Sequence, residues 1–485
     1  MSLRPLLLTA VAFLIAAPLR AETALTLDDA IRLALERNQV IKVEAYNRPI
    51  ARANVLTELG RFDPALTFRR SYSEDSAPSS LNDFNNDLVQ SDNYAVGVEG
   101  YTPWGMSYTL GGTAQNARGF YNNYANQFST FGGISITQPL LRGFGFGANL
   151  AGYRIAKADR GIADWLFKGT VIDTVTYVIT AYSDLIYAQE SLRISRRSRE
   201  LAAGLVEENE KRFRVGSMSE SDVMQARART ATRDQNVLLA EQNVRDATNR
   251  LRQLIGESAF TANPEHIALT PFELASPVVD GPVDLQTALN ERPDYQAARL
   301  GVSKFRASRA LARNQLLPRV DFVGSYGYNG LDPVFREARE QVADRDNRSY
   351  SAGVVVSVPL TFAEGRGRAR AAKLRLRQSE EDLQRAEQDI AVEVARAAGQ
   401  IETAAKRVEA NLAAYNLAKQ ALDAELKKLR AGTSSTFLVL NLQEEQTFAD
   451  LNYQASLADQ RRAIAAYEQV LGRTLKTYGL SVASQ

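Results

Sequence analysis

The chain has 485 residues, of which 24% are charged and 45% hydrophobic, and a formal net charge of +2. That length allows two or three ordinary domains, and so small a net charge gives no nucleic-acid footprint. The absence of cysteine excludes disulfides, thiolate metal sites, cysteine nucleophiles and a lipidated cysteine; a single histidine, His266, excludes a multi-histidine metal centre and argues against a histidine triad.

Residues 1–21, MSLRPLLLTAVAFLIAAPLRA, read as a secretory signal peptide: Arg4, an apolar stretch from Leu6 to Ala17, and small Ala21 before the cut. The apolar stretch falls short of the roughly 20 residues that a membrane-spanning helix needs. No comparable run follows. VIDTVTYVITAYSDLIYA contains Asp173 and Asp184, so it reads as a buried helix face. The mature chain is therefore expected to be exported, with any membrane crossing made by strands.

After a short helix, TLDDAIRLALERN at 26–38, segments of period two begin. YAVGVEGY sets Tyr94, Val96 and Val98 against Asn93 and Glu99, and MSYTLGGTAQ sets Met106, Tyr108 and Leu110 against Ser107, Thr109 and Thr113. Four strands are expected at 65–73, 93–101, 105–115 and 129–138, linked by the long polar loop SEDSAPSSLNDFNNDLVQSD, the tight turn TPWG and a second long loop, NARGFYNNYANQF. Long helices then run over about 145–256, broken at 214–222 around Gly216. The proline-rich stretch 257–283 reads as a linker.

A second helix–strand–helix series follows over 284–475, with a tail at 476–485. VDLQTALNERPDY at 283–295 resembles the opening helix, and RVDFVGSYGY and SYSAGVVVSV form one hairpin around a long loop at 329–348. Long helices are expected over about 365–475, broken at 430–441 around Gly432. The two series are colinear. Pro64 corresponds to Pro318, Pro139 to Pro359, and Gly216 and Gly432 are as far apart as Gly256 and Gly472. The plan is thus a two-copy repeat, residues 22–256 and 284–475. The four prolines stand at the helix–strand junctions, where a residue without a donor ends one regular structure and redirects the next.

From Leu383 the apolar positions recur in steps of three and four, as in a seam shared between helices. A continuous helix from Gly365 to Gly432 would be on the order of 100 Å long, which a hairpin or a tube of helices needs and a globular core does not. Segments of about ten residues with one apolar and one small-polar face fit membrane barrel strands. The long and short loops alternate as they do in outer-membrane barrels. Six strands per chain, or four if the TPWG hairpin lies outside, cannot close a barrel, since about eight is the smallest number. Several chains must share one.

The two-copy plan, LDDAIRLALERN, QPLLRGFG after the fourth strand, and RVGSMSESDV and RAGTSSTFLV at the breaks together resemble the TolC-like family of outer-membrane efflux and secretion channels. The resemblance spans nearly the whole mature chain. It implies an α+β membrane protein in the outer membrane with a large periplasmic part: a homotrimer whose shared transmembrane β-barrel continues into a long periplasmic α-helical coiled-coil barrel. It also implies docking to a periplasmic adaptor (membrane fusion) protein and an inner-membrane transporter. The breaks become the periplasmic tips, with Arg214, Val215, Gly216 and Ser217, and Arg430, Ala431, Gly432 and Thr433, at the adaptor-docking surface. Ser219 or Ser221, and Ser434 or Ser435, are the candidates to cap the helices that follow.

Asp222 matches the acidic residue that follows the first break in the family. Where family members can carry an arginine and two aspartates in the second copy, this chain has Ser434, Leu438 and Asn441. An aperture of Phe437 or Leu438 with Asn441 is therefore expected in place of an acidic ring. The TPWG hairpin departs from the simplest members and leaves about eighteen barrel strands open beside about twelve. No GxxxxGK[ST] loop occurs, and GFGFGANLAG lacks the setting of a dinucleotide fingerprint. The expectation is a passive duct with no enzyme activity, no cofactor and no metal. An exported soluble coiled-coil scaffold is the alternative. The sequence does not encode the cargo.

Overall fold

Runs of period three to four become helices and runs of period two become strands in most of the described chain. The computed structural model describes residues 25–78, 86–119, 122–257, 269 and 277–480. The signal peptide, His266, most of the linker and the last five residues lie outside them. Among the described residues no helix is long and apolar enough to cross a membrane.

The chain divides into two units. The first takes the described parts of residues 1–38, 174–277 and 400–465. It begins with α1 (Leu27–Arg37), whose N-cap Thr26 accepts from the Asp29 amide at 3.1 Å. It contains α6 (Glu220–Leu254) and nearly all of α11 (Thr436–Val470), with parts of the two longest helices, α5 (Ala151–Arg214) and α10 (Ala363–Arg430). These two have 64 and 68 residues. At the usual rise each is about 100 Å long. The segment with Asp173 and Asp184 is a buried helix face: Val175, Val178, Ile179, Tyr182 and Leu185 have no exposed surface, and Asp184 pairs with Arg462. Tyr182 donates to the Leu25 carbonyl at 2.7 Å.

The second unit takes residues 39–173, 278–399 and 466–480 of the described chain. Its helices are α2 (Gln39–Ala45), α3 (Asn47–Gly60), α4 (Phe146–Asn149), α7 (Gly281–Glu291), α8 (Pro293–Asn314), α9 (Phe335–Ala343) and α12 (Thr474–Thr477), with the adjoining parts of α5 and α10. Its core element is one antiparallel sheet in the order β1 (Ala65–Pro78), β2 (Asn86–Tyr101), β3 (Ser107–Arg118), β4 (Phe128–Pro139), β5 (Arg319–Asp332) and β6 (Asn347–Ser357). All four strands expected before residue 139 belong to this sheet, so the TPWG turn joins two of its six strands. The register sets Pro139 beside Asp321 and joins the strands before and after the long helix α5 through β4 and β5.

Two segments depart from the expected loops. Much of SEDSAPSSLNDFNNDLVQSD is strand, because β1 and β2 stay paired as far as Pro78 and Asn86. The loop at 329–348 contains α9, whose Ala338 is fully buried and whose Ala338 carbonyl accepts from Thr130 Oγ1 at 2.8 Å. Phe335, Ala338 and Val342 are spaced to face one side, so α9 lies on β4 and β5 by its apolar stripe.

The sheet has two chemically distinct faces. Even-numbered residues give an exposed apolar band that includes Leu66, Phe68, Leu110, Tyr350, Val354 and Val356, with Leu66 at 78% and Phe68 at 72% exposure. Odd-numbered residues are mostly polar or small, among them Thr67, Glu99, Ser107, Thr109, Ser135, Thr137, Ser325 and Ser351, with Phe131, Val323 and Val355 as apolar exceptions. One row of that polar face runs Gly97–Gly111–Gly133–Gly327 across four strands. A Cβ added to Gly111 would stand 2.5 Å from the Gly97 Cα, and one added to Gly133 would stand 2.6 Å from the Gly327 Cα. Paired Cα atoms on flat strands are about 4.5–5.5 Å apart, so such approaches mean that the sheet creases toward its polar face. The polar face is the concave one.

Candidate functional site

The two glycine turns have the same construction. α5 ends at Arg214 and Gly216 follows with φ 75°; α10 ends at Arg430 and Gly432 follows with φ 74°. In the first turn the Gly216 amide donates to the Phe213 carbonyl at 2.9 Å and the Ser217 amide to the Arg212 carbonyl at 2.9 Å. In the second, Gly432 donates to Leu429 at 3.1 Å and Thr433 to Lys428 at 3.0 Å. This paired pattern satisfies the last helical carbonyls and needs a left-handed residue, which glycine adopts without strain. Ser217 and Thr433 repeat the bond with their hydroxyls, at 3.0 and 3.2 Å.

Ser219 and Ser435 cap the following helices, in preference to Ser221 and Ser434. Ser219 accepts from the Asp222 amide and donates to the Asp222 carboxylate at 2.6 Å, so within the chain Asp222 serves its own helix start. Ser434 donates to Glu425 Oε1 at 2.5 Å, and Lys428 holds Oε2 at 3.1 Å. The Ser434 bond, and then Lys428, hold the Glu425 carboxyl below its ordinary range. Beneath the turns Leu205, Leu422, Leu429, Val439 and Leu440 form one buried cluster. The turns are also laced from outside by Arg227 to Glu210 and Arg229 to Glu444.

On α11 the register that buries Val439 and Leu440 turns Phe437 and Leu438 outward, at 56% and 43% exposure. Asn441 is half-buried. Arg214, Val215, Gly216, Ser217, Arg430, Ala431, Gly432 and Thr433 are all exposed. The chain therefore brings the expected docking residues to two open turns. It leaves Phe437 and Leu438 available and takes Ser434 into an internal bond.

At the sheet, Pro64 and Pro318 immediately precede β1 and β5, Pro139 ends β4, and Pro359 lies between β6 and α10. Loop 140–145 is pinned by two asparagines that the sequence did not flag. Asn149 Nδ2 donates to the Gly143 and Gly145 carbonyls at 2.7 and 2.9 Å, and Asn314 Oδ1 accepts from the Gly143 amide at 2.7 Å. Tyr101 donates to Asn149 Oδ1 at 2.6 Å, and the Gly145 amide donates to the Trp104 carbonyl at 2.9 Å, which ties the TPWG turn to this junction. Among the described residues no group of three or more histidine, aspartate or glutamate side chains is placed to hold a metal.

Comparison with known proteins agrees with this geometry. The outer membrane efflux protein family matches residues 30–257 and 285–473. Among curated relatives, the alkaline protease secretion protein AprF of Pseudomonas aeruginosa is 23% identical over 68% of this chain and 67% of its own. The outer membrane protein TolC of Escherichia coli is 23% identical over 72% of this chain and 71% of its own. Among solved structures, the outer-membrane channel OprN superposes with a TM-score of 0.71 at 20% identity, over 92% of this chain and 89% of that one.

Proposed function

This chain belongs to the outer membrane efflux protein family, and on that premise we propose that it is the outer-membrane exit duct of an efflux pump or a type I secretion system. It resides in the outer membrane with a large periplasmic part, and passes cargo from an inner-membrane transporter and a periplasmic adaptor to the exterior. The driving energy comes from the transporter, and the duct performs no chemistry of its own.

The observation that carries this reading is the six-stranded sheet with an exposed apolar face and two unpaired edges, β1 and β6. Strand edges in lipid leave backbone donors and acceptors without partners, at several kcal/mol per group. The physical remedy is to pair β6 of one copy with β1 of the next. Three copies give a barrel of about eighteen strands, polar and concave inside and apolar outside. In this assembly α5, α6, α10 and α11 form the periplasmic tube, and residues 22–256 and 284–475 are two copies of one efflux-protein unit. The matching Schellman turns at Gly216 and Gly432 support that duplication.

At the tips, Arg214–Ser217 and Arg430–Thr433 offer the adaptor its docking loops, and Phe437, Leu438 and Asn441 narrow the aperture. Reconstitution into planar lipid bilayers tests the duct. Discrete, reproducible conductance steps are expected from the purified protein, and the Leu438→Asp variant should change both step size and block by cations. A protein that never conducts contradicts the duct, and an unchanged Leu438→Asp channel contradicts the aperture.

A further inference from the structure

The polar face carries a recess of about 670 Å³ where the strands meet the helices. Its walls include Tyr101, Ser107, Thr137 and Asn149, and three arginines enter it against one carboxylate: Arg61, Arg142 and Arg319 beside Asp321. Asp321 is 3% exposed and already accepts from Arg319 Nε at 2.5 Å, while the Arg319 side chain remains 62% exposed. Arg61 sits over the Tyr101 ring at 4.9 Å, and Arg142 projects from the loop that Asn149 and Asn314 pin. Neither has an ion-pair partner among the described residues; Glu58 lies against Gly152 and Asp63 against Gly60, next in chain to Arg61. The helix ends next in chain to β5 and β6 carry exposed Arg313, Arg366 and Arg370, together with exposed Glu364, which pairs with Arg368.

We infer that this recess is an oxyanion-binding site on the channel wall, and that it makes the duct favour anionic over cationic cargo. The inference rests on the duct reading, which places the concave polar face on the lumen. Two unpaired guanidiniums on a rigid frame present the planar donor forks that fit carboxylate or phosphate in two-point fashion. The frame lowers the cost of ordering them, because Arg61 is stacked and the backbone behind Arg142 is fixed at Gly143 before an anion arrives. With the assembly proposed above, three recesses ring the passage, so every permeating ion passes several uncompensated positive charges. At roughly 10 Å in water each such charge changes the local concentration of a monovalent ion about twofold.

The test is the reversal potential of single channels under a potassium chloride gradient, with wild type compared with Arg61→Ala/Arg142→Ala. The wild-type channel is expected to prefer chloride. The double variant should open with an intact trimer and lose roughly threefold or more of that preference. Arg142→Lys, which keeps the charge, should retain the preference but weaken block by added inorganic phosphate. Block by phosphate and by glutamate supports a general oxyanion site, and block by phosphate alone supports one tuned to phosphorylated cargo. A wild-type channel that prefers potassium, or a double variant that conducts with unchanged selectivity, overturns the inference while leaving the duct intact. A wild-type protein that forms no channel overturns both.

Discussion

Gly111 and Gly112 are neighbours on β3 that point to opposite faces of the sheet, and one added methyl group should affect them very differently. On the concave face, the Cβ of Gly111→Ala would stand 2.2 Å from the Val96 carbonyl oxygen and 2.5 Å from the Gly97 Cα. Real Cβ contacts do not go below 3.0 Å, so β2 and β3 must part by about 0.8 Å or more at the crease. Overpacking of this kind costs roughly 1–3 kcal/mol per copy. On the apolar face, Gly112→Ala meets only the Phe131 carbonyl oxygen at 3.1 Å and has the Gly132 Cα at 4.0 Å. A shift of a few tenths of an ångström relieves that contact, and the lower unfolded-chain entropy of alanine returns about 0.4–1 kcal/mol. The assay is the midpoint temperature at which detergent-extracted oligomers dissociate on semi-native gels. Gly112→Ala should match or slightly exceed wild type, and Gly111→Ala should dissociate several degrees lower. Equal midpoints would refute the crease, and with it the assignment of the polar face to the lumen.

Three further outcomes follow from the same reasoning. Gly432→Ala places its Cβ in open space and costs only the left-handed backbone term, roughly 1–2 kcal/mol, whereas Gly472→Ala has the same φ sign and drives its Cβ to 2.8 Å from the Glu291 carbonyl; chemical denaturation should therefore rank Gly472→Ala well below Gly432→Ala. Tyr467 has no exposed surface and donates to buried Asp284; burial first, and then that carboxylate, push its phenol above the usual tyrosine range. Its stabilising effect is present below the unfolded value near 10 and is lost as pH rises through the higher folded value, so Tyr467→Phe should lower the melting temperature at pH 7 and flatten the alkaline decline. Glu425 has the opposite sign: its carboxyl is held low, so its effect is present above the unfolded value of 4.5 and is lost as pH falls through the folded one. Acidification from pH 4.5 downward should loosen the second turn, measured as faster amide exchange at residues 432–436, and Glu425→Gln should remove that pH dependence.

Much of this was legible because the physics is local. Gly216 and Gly432 interrupt strong helical patterns and are followed by serines, which is how a helix stop and a helix start look in sequence. The inner parts of the strands alternate cleanly between apolar and small polar residues, as a sheet with one apolar face requires. The same reasoning fails where no lipid or core selects a face. The outer ends of β1 and β2, SEDSAP and NDLVQSD, show no apolar face, since Leu88 and Val89 fall on opposite sides among polar residues, so nothing in their pattern separates strand from loop. The stripe Phe335, Ala338 and Val342 did carry a helical signal, but it is one short stripe inside a loop. The recess is the least legible part. Arg61, Arg142 and Arg319 lie on three separate segments, brought together by the pairing of β4 with β5, the two asparagine pins and the stacking of Arg61 on Tyr101.

The mass of the detergent-extracted protein, from an outer-membrane fraction by light scattering corrected for bound detergent, tests whether several chains share one barrel. A species of three chains that needs detergent to stay in solution is expected. A monomer that remains soluble without detergent would contradict it, because the open edges of β1 and β6 would then have no partner in a membrane.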